Sequence, residues 1–274
     1  MTETPTAASP PPAELLEVAR TVAVEAGALA VRRRAAGVEV ADTKSSLVDV
    51  VTHTDLEVEA LLRRRLSELR PGDGFLGEEG GADDSETGLT WVVDPIDGTV
   101  NFLYDIPQWA VSVAVVSGGR DPERWTALAG CVVNPVSGEV WTASRGGGAW
   151  LGERRLSPSA PRSLAESLVG TGFSYDSGRR VEQAADLGRL IGEVRDVRRM
   201  GAASLDLCAV AAGRLDAYVE EGLKPWDHAA GALVAREAGA VVHGDRPDAA
   251  PSAAFVLAAS PSIAEDLWTT LGRV

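Results

Sequence analysis

Apolar residues recur along this chain with two different periods. Leu15, Ala19, Val22, Ala26 and Leu29 stand three or four apart, which predicts a long amphipathic helix. Arg32-Arg33-Arg34 closes it, with basic charge at the negative end of the helix dipole. Val58, Leu61, Leu62, Leu66 and Leu69 give a second helix its buried stripe. Thr54 and Glu57 fit a capping box at its start, which places Asp55 in the first turn, and Pro71-Gly72 stops it. Strand-like runs follow: Trp91–Val93 ending at Asp94, then Ala110–Val116, Leu128–Val133, Glu139–Ala143 and Ala149–Leu151. Gly118-Gly119, Asn134-Pro135 and Gly146-Gly147-Gly148 punctuate them, so an antiparallel meander is expected. Ser167–Thr171, Asp216–Glu220, Val241–His243 and Phe255–Ala258 are further strand candidates. Helices are predicted between Gly178 and Asp196, from Gly201 to near Gly213, from Trp226 to Ala238, and over Pro261–Leu271. Residues 1–12, rich in Pro, Ala and Thr, read as a disordered tail, and 13–274 as one domain without internal repeat or linker.

Composition narrows the class. A hydrophobic content of 45% and a charged content of 24% are ordinary for a globular chain of 274 residues. The net charge of −14 argues against nucleic acid or an anionic membrane as partner. The arginine triplet therefore reads better as a solvated helix end than as a nucleic-acid patch. No apolar run is long enough to cross a membrane, and the N-terminus lacks the basic and apolar regions of a signal peptide. Cys131 and Cys208 lie in apolar segments, which suits buried, reduced thiols and a cytoplasmic location. His53, His228 and His243 show no zinc spacing.

The candidate chemistry concentrates in Trp91-Val92-Val93-Asp94-Pro95-Ile96-Asp97-Gly98-Thr99-Val100-Asn101-Phe102. An apolar strand runs into a turn carrying two acids, where Pro95 restricts the backbone and Gly98 can take positive φ. Asp94 and Asp97 can converge on one hard cation, and Gly98 and Thr99 can turn N–H groups toward an anion held by it. Spacing alone leaves the alternatives open. The Asp-x-x-Asp turn, Glu78 in Gly77-Glu78-Glu79 and Glu220 at a strand end all fit solvated acids equally well. Asp55 suits a first turn whatever the function, and Asp227 suits an N-cap.

Taken together these stretches resemble the inositol monophosphatase family, metal-dependent phosphatases related to fructose-1,6-bisphosphatase. The parts stand in family order: Asp55 after Val50-Val51-Thr52, Gly77-Glu78-Glu79, Asp94 to Thr99, Gly201-Ala202-Ala203, Glu220 and Trp226-Asp227. Gly170-Thr171-Gly172-Phe173 and Arg198-Arg199-Met200-Gly201 are most similar to the bacterial inositol-1-monophosphatase branch. The resemblance implies an α+β fold layered as an αβαβα sandwich, a homodimer, inhibition by lithium, and two or three Mg2+ ions per site. It implies that Glu78, Asp94 and the Ile96 carbonyl ligate one ion, that Asp94, Asp97 and Asp227 ligate a second, and that Glu78 and waters hold a third. Thr99 would orient the attacking water, with Asp55 accepting from Thr99 and Lys44 assisting electrostatically. Gly98 and Thr99 N–H groups would hold phosphate oxygens. Gly201, Ala202 and Ala203 would supply wall and backbone donors beside a sugar-like ring, and Glu220 would accept its hydroxyls.

The implied reaction is hydrolysis of the small phosphorylated polyol inositol 1-phosphate by direct in-line attack; an aspartyl-phosphate on Asp94 is the rival mechanism. Sister activities toward histidinol phosphate, a nucleotide 3′-phosphate or fructose 1,6-bisphosphate share the same centre. A regulatory binding protein that keeps the fold is the reading from another class. Its mark would be degraded ligands, and the acids proposed here are all intact. Val100, Asp105 and Lys224-Pro225 depart from the family pattern without removing a ligand.

Overall fold

A computed structural model describes residues 10–38, 40–43 and 50–272. Its elements run α1 (Pro12–Ala36), β1 (Val40–Thr43), β2 (Val50–Thr52), α2 (His53–Leu69), β3 (Gly74–Gly77), β4 (Ala82–Asp83), β5 (Leu89–Asp97) and α3 (Thr99–Leu103). They continue β6 (Ala110–Ser117), β7 (Thr126–Asn134), β8 (Glu139–Ser144), β9 (Gly148–Leu151), β10 (Arg154–Arg155), β11 (Leu168–Thr171) and α4 (Ser177–Leu190). The last are β12 (Asp196–Arg198), α5 (Ala203–Ala211), β13 (Ala217–Glu220), α6 (Pro225–Ala238), β14 (Val241–His243), β15 (Val256–Ala259) and α7 (Ala264–Thr270).

One sheet has the order β10-β9-β8-β7-β6-β5-β3-β4 and a second has β12-β11-β13-β15-β14. The expected meander is β6 to β9, and β5 and β10 extend it at either end, antiparallel throughout. Alternation along the strands divides the molecule into layers. Trp91, Val93, Val111, Val113 and Val115 face Leu15, Ala19, Val22, Leu62 and Leu66 of α1 and α2. Val92, Ala114, Val116 and Val132 point the other way, onto Leu205, Cys208, Ala230 and Leu233 of α5 and α6. The far sides of α5 and α6, through Leu207, Val210, Ala232 and Ala235, meet Tyr218, Val256 and Ala258 of the second sheet. Ala217, Val219, Leu257 and Ala259 then face Leu190 of α4 and Leu267 of α7. This is the expected αβαβα sandwich. Helices covered on both sides need small residues: a Cβ on Gly130 would stand 3.0 Å from Ala230 Cα.

Three expectations are corrected. The second helix begins at His53, and its cap is Thr52 rather than Thr54. Thr52 Oγ1 accepts the Asp55 N–H at 3.3 Å, while Asp55 Oδ2 accepts the Thr52 N–H at 3.0 Å. An Asp at the third helical position closes the box two residues early, which leaves Glu57 to pair with Arg33. β5 does not stop at Asp94. Its pairing with β6 breaks after Asp94↔Ser112 and resumes at Asp97↔Ala110, so both acids sit in an interrupted ladder around Pro95. Phe75-Leu76, to which the periodicity assigns no element, lies in β3, the parallel neighbour of β5. α1 starts at Pro12, inside the predicted tail, where Pro is tolerated because a first-turn N–H has no helical partner; residues 1–9 lie outside the described ones. Cys131 and Cys208 are free and buried. Among the described residues no helix is long and apolar enough to cross a membrane.

Candidate active site

The turn after β5 is fixed by close backbone approach. Gly98 sits at φ +92°, and a Cβ there would come 3.0 Å from Gln108 O and 3.1 Å from Gly201 O. Only glycine lets the turn close against the segment that opens α5. Asn101 Nδ2 fastens the same junction, donating to Gln108 O at 2.6 Å and Met200 O at 2.8 Å. Asp94 Oδ1 accepts the Ile96 N–H at 3.0 Å. Thr99 Oγ1 lies 3.0 Å from Ile96 O and 3.2 Å from Asp55 Oδ1. One hydroxyl proton thus has two acceptors, and its lone pairs stay open to a third partner.

Around this turn lies a cavity of about 480 Å³, lined among others by Glu78, Asp94, Ile96, Asp97, Gly98, Thr99, Glu220 and Asp227. The elements that bring them are far apart in sequence. Glu78 follows β3 directly. Asp227 is the third residue of α6, where its Oδ2 accepts the Lys224 N–H at 2.6 Å. Glu220 ends β13 and accepts from Tyr218 Oη. Gly172 faces it, and any Cβ there would overlap the Glu220 carboxylate. Gly201, Ala202 and Ala203 line the cavity. The Ala203 N–H, however, is no ring donor: it gives its hydrogen bond to Asp97 Oδ1 at 3.3 Å. The first turn of α5 spends its donors on Asp97, which also takes Ser204 N–H at 2.7 Å and the Ser204 hydroxyl. Trp109 is core, whereas half-buried Trp226 lines the cavity. Lys44 lies outside the described residues.

The electrostatics are those of crowded, desolvated acids. Burial raises Asp94 well above the usual carboxylate range, and Glu78, Asp97 and Asp227 push it further. Asp227 is raised by burial and then by Glu78 and Asp97. Asp97 rises to about 6 through burial, moderated by the Ser204 hydrogen bonds. Asp55, behind Thr99, is also raised to about 6, by burial against the pull of its bonds from Thr52. Glu220 is raised to about 7, burial outweighing the Tyr218 bond and the Arg199 charge.

Among the described residues no three His, Cys, Asp or Glu side chains stand as a ready-made metal cage. An open set of carboxylates is nevertheless what Mg2+ requires, since it takes one or two carboxylates and keeps several waters. The donors are all oxygen and drawn to one cavity, and their mutual repulsion is what divalent cations relieve. The residues present therefore fit such ions.

Three positioning residues, Glu59, Asn101 and Ser204, and one buried acid, Asp206, escaped sequence reasoning. Glu59 of α2 is buried and accepts the Glu79 N–H at 2.7 Å and the Gly80 N–H, so it holds the loop carrying Glu78. Its signal was an acid inside the apolar stripe, next to Val58. Asn101 and Ser204 act through contacts that no local pattern announces. Asp206, 1% exposed, keeps an Oδ1 without a partner beside the cavity and is held above its usual range by burial, Asp97 and Glu220.

The sequence profile of the inositol monophosphatase family matches residues 12–271. The inositol-1-monophosphatase SuhB of Mycobacterium tuberculosis is 45% identical over 280 residues, spanning 96% of this chain and 94% of that protein. The solved structure of Mycobacterium tuberculosis SuhB superposes with a TM-score of 0.82 at 44% identity, covering 97% of this chain and 98% of the other. The Nus factor SuhB of Vibrio cholerae is 40% identical over 202 residues, 73% of each chain.

Proposed function

The chain belongs to the inositol monophosphatase family, and on that premise we propose that it is a Mg2+-dependent phosphatase releasing phosphate from myo-inositol 1-phosphate. The observation that carries this reading is the gathering of Glu78, Asp94, Asp97 and Asp227 around one cavity with the Thr99–Asp55 hydrogen bond at its edge. Glu78, Asp94, the Ile96 carbonyl, Asp97 and Asp227 would hold two or three ions. When bound, these supply a water activated for attack and charge to balance the leaving alkoxide.

The remaining work falls to the chain. Asp55 receives the Thr99 hydroxyl proton in a hydrogen bond, which turns the Thr99 lone pairs toward the attacking water. Gly98 and Thr99 present N–H groups at the start of α3 to the phosphate oxygens. Ser204 and Ala203 fix the Asp97 carboxylate, so it need not reorganise during the reaction. Glu220, steadied by Tyr218, accepts from ring hydroxyls. Attack is in line and direct, because Asp94 is tied by the Ile96 N–H where the β5 ladder is interrupted and is poorly placed to serve as a nucleophile. Lithium inhibition, a homodimer and a cytoplasmic location belong to the same reading.

The test is phosphate release by metal-stripped protein after Mg2+ is returned, with myo-inositol 1-phosphate and histidinol phosphate side by side. Preference for the inositol ester supports the proposal; preference for histidinol phosphate keeps the metal centre and moves the substrate. A second reading follows from the Vibrio cholerae relative, which is named a Nus factor. A role of that kind would survive Asp97→Asn, which removes a proposed ligand, whereas turnover would not.

A further inference from the structure

On the outer flank of α6, away from the carboxylates, lies a separate cavity of about 220 Å³. Its walls come from the loop before β7 (Pro122 and Trp125), the turn between β8 and β9 (Arg145), the α6 face of His228, Arg236 and Glu237, and Ala250-Pro251. Two features set it apart in a chain of net charge −14. Arg145 and Arg236 both line it, and neither forms an ion pair among the described residues; Arg236 donates only to Val242 O, at 3.3 Å. The one carboxylate in the lining, Glu237, is occupied elsewhere, accepting Gly146 N–H at 2.9 Å and Gly148 N–H at 3.0 Å. His228, 2% exposed, lines the same cavity, and among the described residues its Nε2 has no hydrogen-bond partner.

Buried polar atoms are normally satisfied, so an orphan nitrogen at a cavity wall points to something that enters the cavity. Two guanidiniums against one carboxylate, Glu237, whose charge acts on Arg236, leave the lining net positive. Their planar forks match the oxygens of a tetrahedral oxyanion better than any other small group. The volume is below that of drug-sized ligand pockets, which begin at roughly 300 Å³. It suits a phosphate group carrying few further atoms, with Trp125, Pro122 and Pro251 able to cover a small apolar body. We propose that this cavity is a second, non-catalytic anion site, in which Arg145 and Arg236 grip a phosphate or phosphonate group and His228 Nε2 supplies the buried polar contact. Because His228 follows Asp227 directly at the start of α6, occupancy would be felt one residue from the carboxylate cluster. The binding claim itself is independent of the reaction those carboxylates perform.

The full-length, magnesium-loaded chain carries only three histidines, so imidazole nitrogen NMR resolves the site once His228→Gln identifies its signal. Inorganic phosphate and methylphosphonate, which cannot be hydrolysed as an ester, are titrated separately. Each should shift the His228 ring saturably and leave His243 unmoved. The tighter of the two distinguishes free phosphate from a phosphorylated organic molecule. Arg145→Ser/Arg236→Ser should weaken the response at least about tenfold, with phosphate release at the carboxylate site unchanged within about twofold. Arg145→Ser alone, in an exposed turn, gives the same direction if the double variant does not fold. A His228 signal that never moves, that moves equally with potassium chloride at matched ionic strength, or that responds undiminished in the arginine variants overturns the proposal.

Discussion

Asp97 illustrates how a single carboxylate is set up before any ion arrives. Three donors at the start of α5 fix its orientation, yet burial and Glu78 disfavour its charge. Asp97→Asn keeps most of the shape and removes the charge. Turnover should fall by at least about a hundredfold with an unchanged circular dichroism spectrum, and near-normal turnover would remove Asp97 from the site. Thr99→Ala deletes the hydroxyl between Asp55 and Ile96 O. Here kcat should drop by about 10²-fold or more while KM stays within about threefold, as steady-state kinetics would show; a loss confined to KM contradicts a water-orienting role. Glu220 titrates near 7, above its unfolded value of 4.5. The folded chain therefore keeps this proton across that interval. The stabilisation this provides is complete below pH 4.5 and is lost as pH rises through 7. Above pH 7 the ionised side chain is a pure acceptor, so KM for the polyol ester should improve from pH 6 to 8. Glu220→Gln should flatten that slope relative to the parent, and an identical pH profile in the variant would sever Glu220 from the ring.

At the scale of elements, α2 carries two acids with distinct tasks. Asp55 closes its own helix cap and faces Thr99, and Glu59, one turn on, holds the loop bearing Glu78. Glu59→Ala should leave two backbone N–H groups without their acceptor, costing about 2 kcal/mol in thermal or denaturant unfolding. It should also weaken Mg2+ binding by about 10- to 100-fold, measured by the concentration needed for half activity; unchanged Mg2+ dependence would make Glu59 purely structural. Asp55 was legible in the chain as a first-turn acid, but its cap partner was misplaced at Thr54. Thr-x-x-Asp and Thr-x-x-Glu are equivalent local patterns here, and the helix starts where burial of Thr52 and Thr54 allows. The break in β5 was legible only in part. Pro95 advertised a disturbance, whereas resumption of pairing at Asp97↔Ala110 depends on β6 lying alongside.

For the molecule as a whole, the two sheets and the helices between them bring Glu78, Asp94 and Asp227 to one cavity, which leaves a layered fold with concentrated negative charge at its centre. Mg2+ should stabilise the metal-stripped chain by about 2.7 kcal/mol at a hundredfold excess over its dissociation constant. A thermal melt should show that rise, and Asp97→Asn should reduce it; no shift in either protein would argue against ion binding. The sequence by itself determined most helices and strands through their periodicity, and the layered fold only through its resemblance to a known family; it also determined which acids were candidates, because the Asp94–Thr99 turn needs its Pro and Gly wherever it lies. Only the tertiary structure decided which groups act together. It withdrew the Ala203 N–H from the ring and gave it to Asp97, placed Glu59 under the Glu78 loop, and gathered His228, Arg145 and Arg236 around a second cavity. Those relations join residues separated by tens of positions, and local periodicity carries no information about which distant backbone will supply a donor or leave a nitrogen without one.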